Sequence, residues 1–168
     1  GNWFNLRTEQ TLQYSMDIAR DYYSELEGRA LSKTKNLEYF IKSEKLYLKA
    51  NRKRLQTLIQ DKVAEYDLAG IIIYDNNLKK IVSKVDFTLL SPTTELNYVN
   101  LIQKSMDGEG VTEIQMTQGR NLMVVVAPLS EVVNKEISIW GYILTLNPAH
   151  KSSLSKVETI KNTYQEYK

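Results

Sequence analysis

The 168-residue sequence contains no cysteine, one histidine, three prolines and seven glycines. The absence of cysteine removes disulfide scaffolds, zinc–thiolate centres and cysteine nucleophiles. A lone histidine, His150, cannot supply a multi-histidine metal site. So little proline and glycine leaves few breaks, and the chain must consist mostly of regular elements. No apolar run approaches the roughly 20 residues of a membrane-spanning helix. The longest, Leu122 to Ala127, has the length of a strand. Charge of one sign is lacking as well: 22 basic against 20 acidic residues leave a net +2, which does not imply nucleic-acid binding from bulk charge. No signal-peptide pattern opens the chain, and it is expected to be a piece of a longer protein.

What is present are the proportions of a globular domain, with 42% hydrophobic and 25% charged residues and enough length for one substantial core. Residues 2–66 contain one glycine, Gly28, and no proline, and favour helix throughout. Leu12, Ser15, Ala19, Tyr22 and Leu26 fall on one helical stripe. After a break expected at Gly28 to Ser32, Leu37, Phe40, Ile41, Leu48, Leu55, Leu58 and Ile59 form a second apolar face, with room for another break near Glu44 to Leu46. The pattern predicts two long helices, or one long helix and a broken one.

From Asp67 the character changes. Leu68 to Tyr74 is rich in β-branched residues and stops at the turn signal Asp75-Asn-Asn77, and Lys80 to Val85 completes a hairpin. Ser91-Pro-Thr-Thr-Glu95 reads as a helix start, with Leu96, Val99, Ile102 and Met106 as its apolar positions and Gly108 as its end. Strands are expected at Val111 to Met116, Leu122 to Leu129 and Ile137 to Leu146, with turns at Thr117 to Asn121 and Ser130 to Glu136. A last helix is expected from Pro148 to Lys168, with Leu154, Val157, Tyr164 and Tyr167 on one stripe. Strands joined by short turns pair antiparallel. The fold class is therefore α+β: a five-stranded antiparallel sheet of PAS-like or Cache-like order, with long N-terminal helices (1–66), a sheet with an inserted helix (67–147) and a C-terminal helix (148–168), in one domain. Ile72, Val124, Val126, Ile143 and Leu144 are the expected core.

Enzymatic signatures are missing. Gly108-Glu-Gly110 lacks the third glycine and the lysine of a phosphate loop, no Gly-x-Ser-x-Gly elbow occurs, and nothing in the sequence orients His150 as a base. Acidic pairs such as Glu25/Glu27 and Asp107/Glu109 read as solvated charge rather than a glycosidase dyad. The run Lys42 to Arg54 holds six basic residues against Glu44 alone. It fits a contact with nucleic acid or anionic lipid, and more readily the solvated face of an amphipathic helix. No catalytic residue, metal ligand or cofactor is expected.

Several segments carry a resemblance. Trp3-Phe-Asn-Leu-Arg7, Leu12-Gln-Tyr-Ser15 and Ile18-Ala-Arg-Asp-Tyr-Tyr23 resemble the stretch after the first membrane span of NtrY-like sensor histidine kinases. Leu68 to Asp75 is similar to the first sheet strand of their extracytoplasmic domain. Val124-Val-Val-Ala-Pro-Leu129 and Trp140-Gly-Tyr-Ile-Leu144 are similar to the paired late strands of single-Cache sensors. The resemblance implies an extracytoplasmic sensor domain of a two-component kinase, held between two membrane spans and dimeric in the full protein. It also implies a ligand between the concave sheet face and its cover. Polar residues expected near that face are Tyr74, Arg120 and Tyr142, which would suit a small polar or anionic ligand such as an amino acid or a small carboxylate. The competing readings are a structural or protein-interaction domain without a small-molecule ligand and, more weakly, an intracellular PAS domain.

Overall fold

The computed structural model describes residues 2–106 and 110–149, with residues 2–5 as backbone alone. The expected C-terminal helix, His150, the Asp107/Glu109 pair, Gly108 and the side chains of Trp3 and Phe4 lie outside the described residues. The elements are α1 (Asn2–Ser43), α2 (Arg52–Glu65), β1 (Gly70–Asp75), β2 (Lys80–Val85), α3 (Pro92–Lys104), β3 (Val111–Thr117), β4 (Arg120–Val133) and β5 (Glu136–Pro148). Short 3-10 turns precede α2 (Lys49–Asn51) and α3 (Phe87–Leu89). The five strands form one antiparallel sheet in the order β2-β1-β5-β4-β3. The α+β class with a five-stranded antiparallel sheet is as expected.

The helices correct the reading at one point. α1 runs unbroken through Gly28, which is exposed and where an added Cβ would meet nothing within 4 Å, so the break expected at Gly28 to Ser32 does not occur. The chain turns after Ser43, at the break expected near Glu44 to Leu46, where Lys45 takes a positive φ of 54° and the Leu46 N–H reaches back to the Ile41 carbonyl. The second apolar face shifts with it. Leu46 is buried at that turn in place of Leu48, which is 45% exposed, while Leu37, Ile41, Leu55 and Ile59 are fully buried.

Hairpin geometry sets the sheet. Asp75 Oδ1 accepts from the Asn77 and Lys79 N–H groups (2.9 Å each) and closes the β1–β2 turn. Gln118 and Gly119 (φ 51° and 75°) and Asn134 and Lys135 (φ 52° and 66°) both adopt the paired positive φ of a tight type I′ hairpin. The second of these turns is only Asn134-Lys135, so the turn expected over Ser130 to Glu136 is mostly strand. A two-stranded arm thus extends past the end of β1, with Val132 and Ile137 paired and 63% and 80% exposed.

Alternation along the strands assigns two faces. Ile71, Ile73, Val82, Leu129 and Ile143 face α1 and α2 and pack with Leu37, Ile41, Leu55 and Ile59. Farther along, Leu26 and Ala30 of α1 cover Met123 and Val125. A buried polar chain crosses this layer: Thr34 Oγ1 and Thr145 Oγ1 are 2.8 Å apart, and Asn147 Nδ2 donates to Thr145 Oγ1 (3.0 Å) and the Met123 carbonyl (3.1 Å). The opposite face, Ile72, Tyr74, Val124, Val126, Tyr142, Leu144 and Leu146, packs beneath α3. All five expected core residues are buried, and they divide between the two faces: Ile143 toward α1 and α2, the other four toward α3.

Candidate ligand site at α3

The helix over the second sheet face starts at a defined cap. Ser91 Oγ accepts from the Thr94 N–H (3.2 Å), and Pro92 occupies the first turn, where its missing N–H costs nothing. From that start α3 buries Thr94, Tyr98, Leu101 and Ile102. The apolar face expected from Leu96, Val99, Ile102 and Met106 is rotated in the structure, and Leu96 and Met106 are 59% and 42% exposed. Hydropathy favours leucine and methionine over tyrosine and threonine, yet the phenol ring fills more of the layer and the capping threonine is half of the Ser91 cap.

Beneath α3 lies an aromatic layer. Tyr74 and Tyr142 stand opposite each other on β1 and β5 and are both buried in the layer that holds Tyr98. The Tyr98 side chain is fully buried, and its hydroxyl finds no hydrogen-bond partner among the described residues. Burial alone pushes its pKa up to about 12. The Tyr74 hydroxyl is raised further, first by burial, then by the Glu95 carboxylate and by Tyr98, so these three groups lie in one electrostatic neighbourhood. Glu95 in turn pairs with Lys80 (3.1 Å), tying the first turn of α3 to β2.

On the other flank of α3, a partly open groove of about 360 Å³ separates the helix from β3. Asn97, Asn100 and Lys104 line it from the helix, and Glu113, Gln115 and Thr117 from the strand. Leu101 belongs both to this groove and to the buried layer, one turn along from Tyr98. The groove is of the size of small-metabolite sites. Its groups can meet a zwitterion: Lys104 offers an ammonium to a carboxylate, Glu113 a carboxylate to an amine, and the amides offer donors and acceptors.

Of the three residues expected near the ligand, the structure brings two together. Tyr74 and Tyr142 share the layer under α3. Arg120 lies at the other end of the sheet, where it pairs with Thr117 of the groove: Tyr142 pairs with Pro128, and Arg120 is eight positions earlier on β4, about 26 Å away at the usual strand rise. There its guanidinium donates to Asp86 Oδ2 (2.6 Å) and ties the β3–β4 hairpin to the turn before α3. Asp86 is held below the usual carboxylate range, first by the Thr88 hydroxyl and N–H and then by Arg120. Glu95, Tyr98, Lys104 and Glu113 were not singled out from the sequence. The one available signal was the i, i+4, i+7 spacing of Thr94, Tyr98 and Leu101.

No family model and no curated protein matches the sequence. Solved structures do. The sensory domain of the Campylobacter jejuni chemoreceptor Tlp3 with isoleucine bound has a TM-score of 0.64 at 11% identity, covering 90% of this chain and 63% of that one. The same receptor's ligand-binding domain in complex with L-valine gives 0.64 at 10% identity, covering 90% of this chain and 63% of that one. The sensor domain of the V. cholerae histidine kinase DctB gives 0.54 at 13% identity, covering 92% of this chain and 59% of that one. The chain thus spans about three fifths of the length of these domains. At such identities the likeness is one of fold, and the fold is that of sensory Cache- and PAS-like domains.

Proposed function

We propose that the chain is the extracytoplasmic signal-sensing domain of a bacterial two-component sensor histidine kinase. In this reading it binds a small polar or anionic metabolite, an amino acid or small carboxylate, at α3, and relays the event through its terminal helices to flanking membrane spans in a homodimer. The observation that carries the reading is Tyr98. A buried hydroxyl without a partner costs about 1–3 kcal/mol, and this one sits on the helix between the sheet and a polar groove. A ligand carboxylate seated against Lys104, with its amine toward Glu113, would shift the C-terminal half of α3 and open a path to the Tyr98 hydroxyl. The closest competing reading, an interaction domain without a ligand, draws on the close packing of Tyr98, Leu101 and Ile102, each no more than 2% exposed.

A thermal-shift series over the protein amino acids and small mono- and dicarboxylates separates the two. One chemical class is expected to raise the melting temperature by about 3 °C or more at saturating concentration. Lys104→Gln and Tyr98→Phe should each reduce that shift. No response from any class would favour the interaction domain, and a shift unchanged in both variants would put the ligand away from α3.

A further inference from the structure

At the end of the sheet opposite Arg120 and Pro148, the α1–α2 turn concentrates positive charge that the fold neutralises only in part. Residues 42–54 hold Lys42, Lys45, Lys49, Arg52, Lys53 and Arg54 against Glu44, a net +5 within a chain whose total is +2. The remaining residues therefore carry a net −3, and the molecule is electrically polarised. Glu44 engages Arg54 (3.3 Å). Lys45, Lys49 and Lys53 are exposed and form no ion pair with a described residue, while Lys42, also exposed, interacts with the Glu38 carboxylate one turn earlier. Their backbone is rigidly placed: Leu46 is 1% exposed and anchors the turn, and Asn51 Nδ2 donates to the Lys45 carbonyl (3.0 Å).

The placement opposes local stability. Arg52, Lys53 and Arg54 occupy the first turn of α2, which has no acidic residue and no side-chain cap. Cations at a helix N-terminus oppose the macrodipole and so destabilise the helix. Only Arg54 of the three gains a compensating ion pair among the described residues, and a local rule so little compensated in the fold is the expected mark of a functional surface.

We infer that this turn is a docking surface for a soluble phosphate polymer, whose oxyanions would neutralise the row of lysines and accept from the uncapped N–H groups at the start of α2. A protein partner would need an apolar centre within a polar rim, and Leu48, 45% exposed, is the only exposed large apolar side chain in the segment. A lipid surface is disfavoured by topology. Leu26 and Ala30 pack on Met123 and Val125, and Leu37 and Ile41 pack with Leu129 and Ile143, so the first half of α1 and the end of β5 lie at the opposite end of the sheet. This last step, and only this one, rests on the extracytoplasmic reading, in which the membrane lies at that opposite end.

The test is binding of the 168-residue chain to fluorescent inorganic polyphosphate across a salt series, beside vesicles rich in phosphatidylglycerol. The logarithm of affinity should fall linearly with that of salt concentration, as counterion release requires. Replacing Lys42, Lys45, Lys49 and Lys53 with Gln should lower affinity at least ~10-fold at low salt and flatten the slope by roughly 3. A charge-matched control, Arg29, Lys35, Lys79 and Lys84 to Gln, should stay within about twofold. Equal loss in both variants, no binding of the native chain, or tighter binding to the vesicles than to polyphosphate would overturn the assignment. Both variants should keep the small-ligand thermal shift of the native chain, so failure here is distinguishable from failure of the sensor reading.

Discussion

At the scale of single residues, Tyr98 ties the energetics to the proposed site. Its hydroxyl is buried with no partner among the described residues, so Tyr98→Phe removes a desolvated polar group while keeping the ring. The variant is expected to be at least as stable as the native chain, by up to about 1 kcal/mol in urea unfolding at neutral pH. The alkaline limb adds a second readout. A phenol whose folded pKa is pushed up to about 12, against 10.0 when unfolded, contributes stability that is complete below pH 10 and is lost as pH rises through 12. Native protein should lose roughly 2 kcal/mol from this group between pH 9 and pH 12, and Tyr98→Phe should lose correspondingly less. Destabilisation of Tyr98→Phe by more than about 1 kcal/mol at neutral pH would mean that the hydroxyl has a partner. Tyr74 and Tyr142 share the layer under α3, but the burial of β1 and β5 around them does not alternate, so no local pattern shows which face they take. Sequence reasoning missed Tyr98 because helical periodicity was scored on leucine, valine and methionine. Arg120 is expected near a ligand because a guanidinium suits a carboxylate; in the structure it pairs with Asp86, 34 residues away in sequence, and no local pattern shows that pair.

At the scale of elements, the continuity of α1 is the plainest departure from the expected order. Glycine within a helix weakens it by roughly 0.5–1 kcal/mol relative to alanine, a cost that a helix of 42 residues absorbs. Gly28→Ala should therefore raise stability by about that amount, since an added Cβ meets nothing within 4 Å. Were Gly28 instead a left-handed terminator, the same change would be destabilising, and denaturant midpoints decide between the two. The strands were more legible than the helix ends, since β-branched runs fix their location, and the lengths of β4 and β5 were not. Their arm beyond Leu129 lies outside the core, so burial imposes no alternation there, and Asn134-Lys135 makes a tight turn without the glycine that usually marks one. Gly141 is a different case: a Cβ there would collide with the Tyr74 carbonyl, so the β1–β5 pairing itself demands glycine.

At the scale of the whole molecule, the sheet separates two layers with different roles. One face is bound to α1 by large aliphatic side chains and by the Thr34–Thr145 hydroxyl pair (2.8 Å). The other is covered by a 13-residue helix capped at one end and flanked by a polar groove. In the proposed sensor, α3 moves with the ligand and α1 carries the displacement away. The order of elements, and hence this two-layer plan, was readable from the switch between helical and strand periods near Asp67. The face each strand residue takes was not, because β1 and β4 are buried on both sides and their apolar runs carry no alternation. The central claim is that a small metabolite is held at α3. It is tested most directly by hydrogen exchange on the chain with and without the ligand that most raises its melting temperature. The account predicts slowed exchange concentrated in residues 92–104 and 111–117. Protection confined to α1 and α2, with α3 and β3 unchanged, would contradict it.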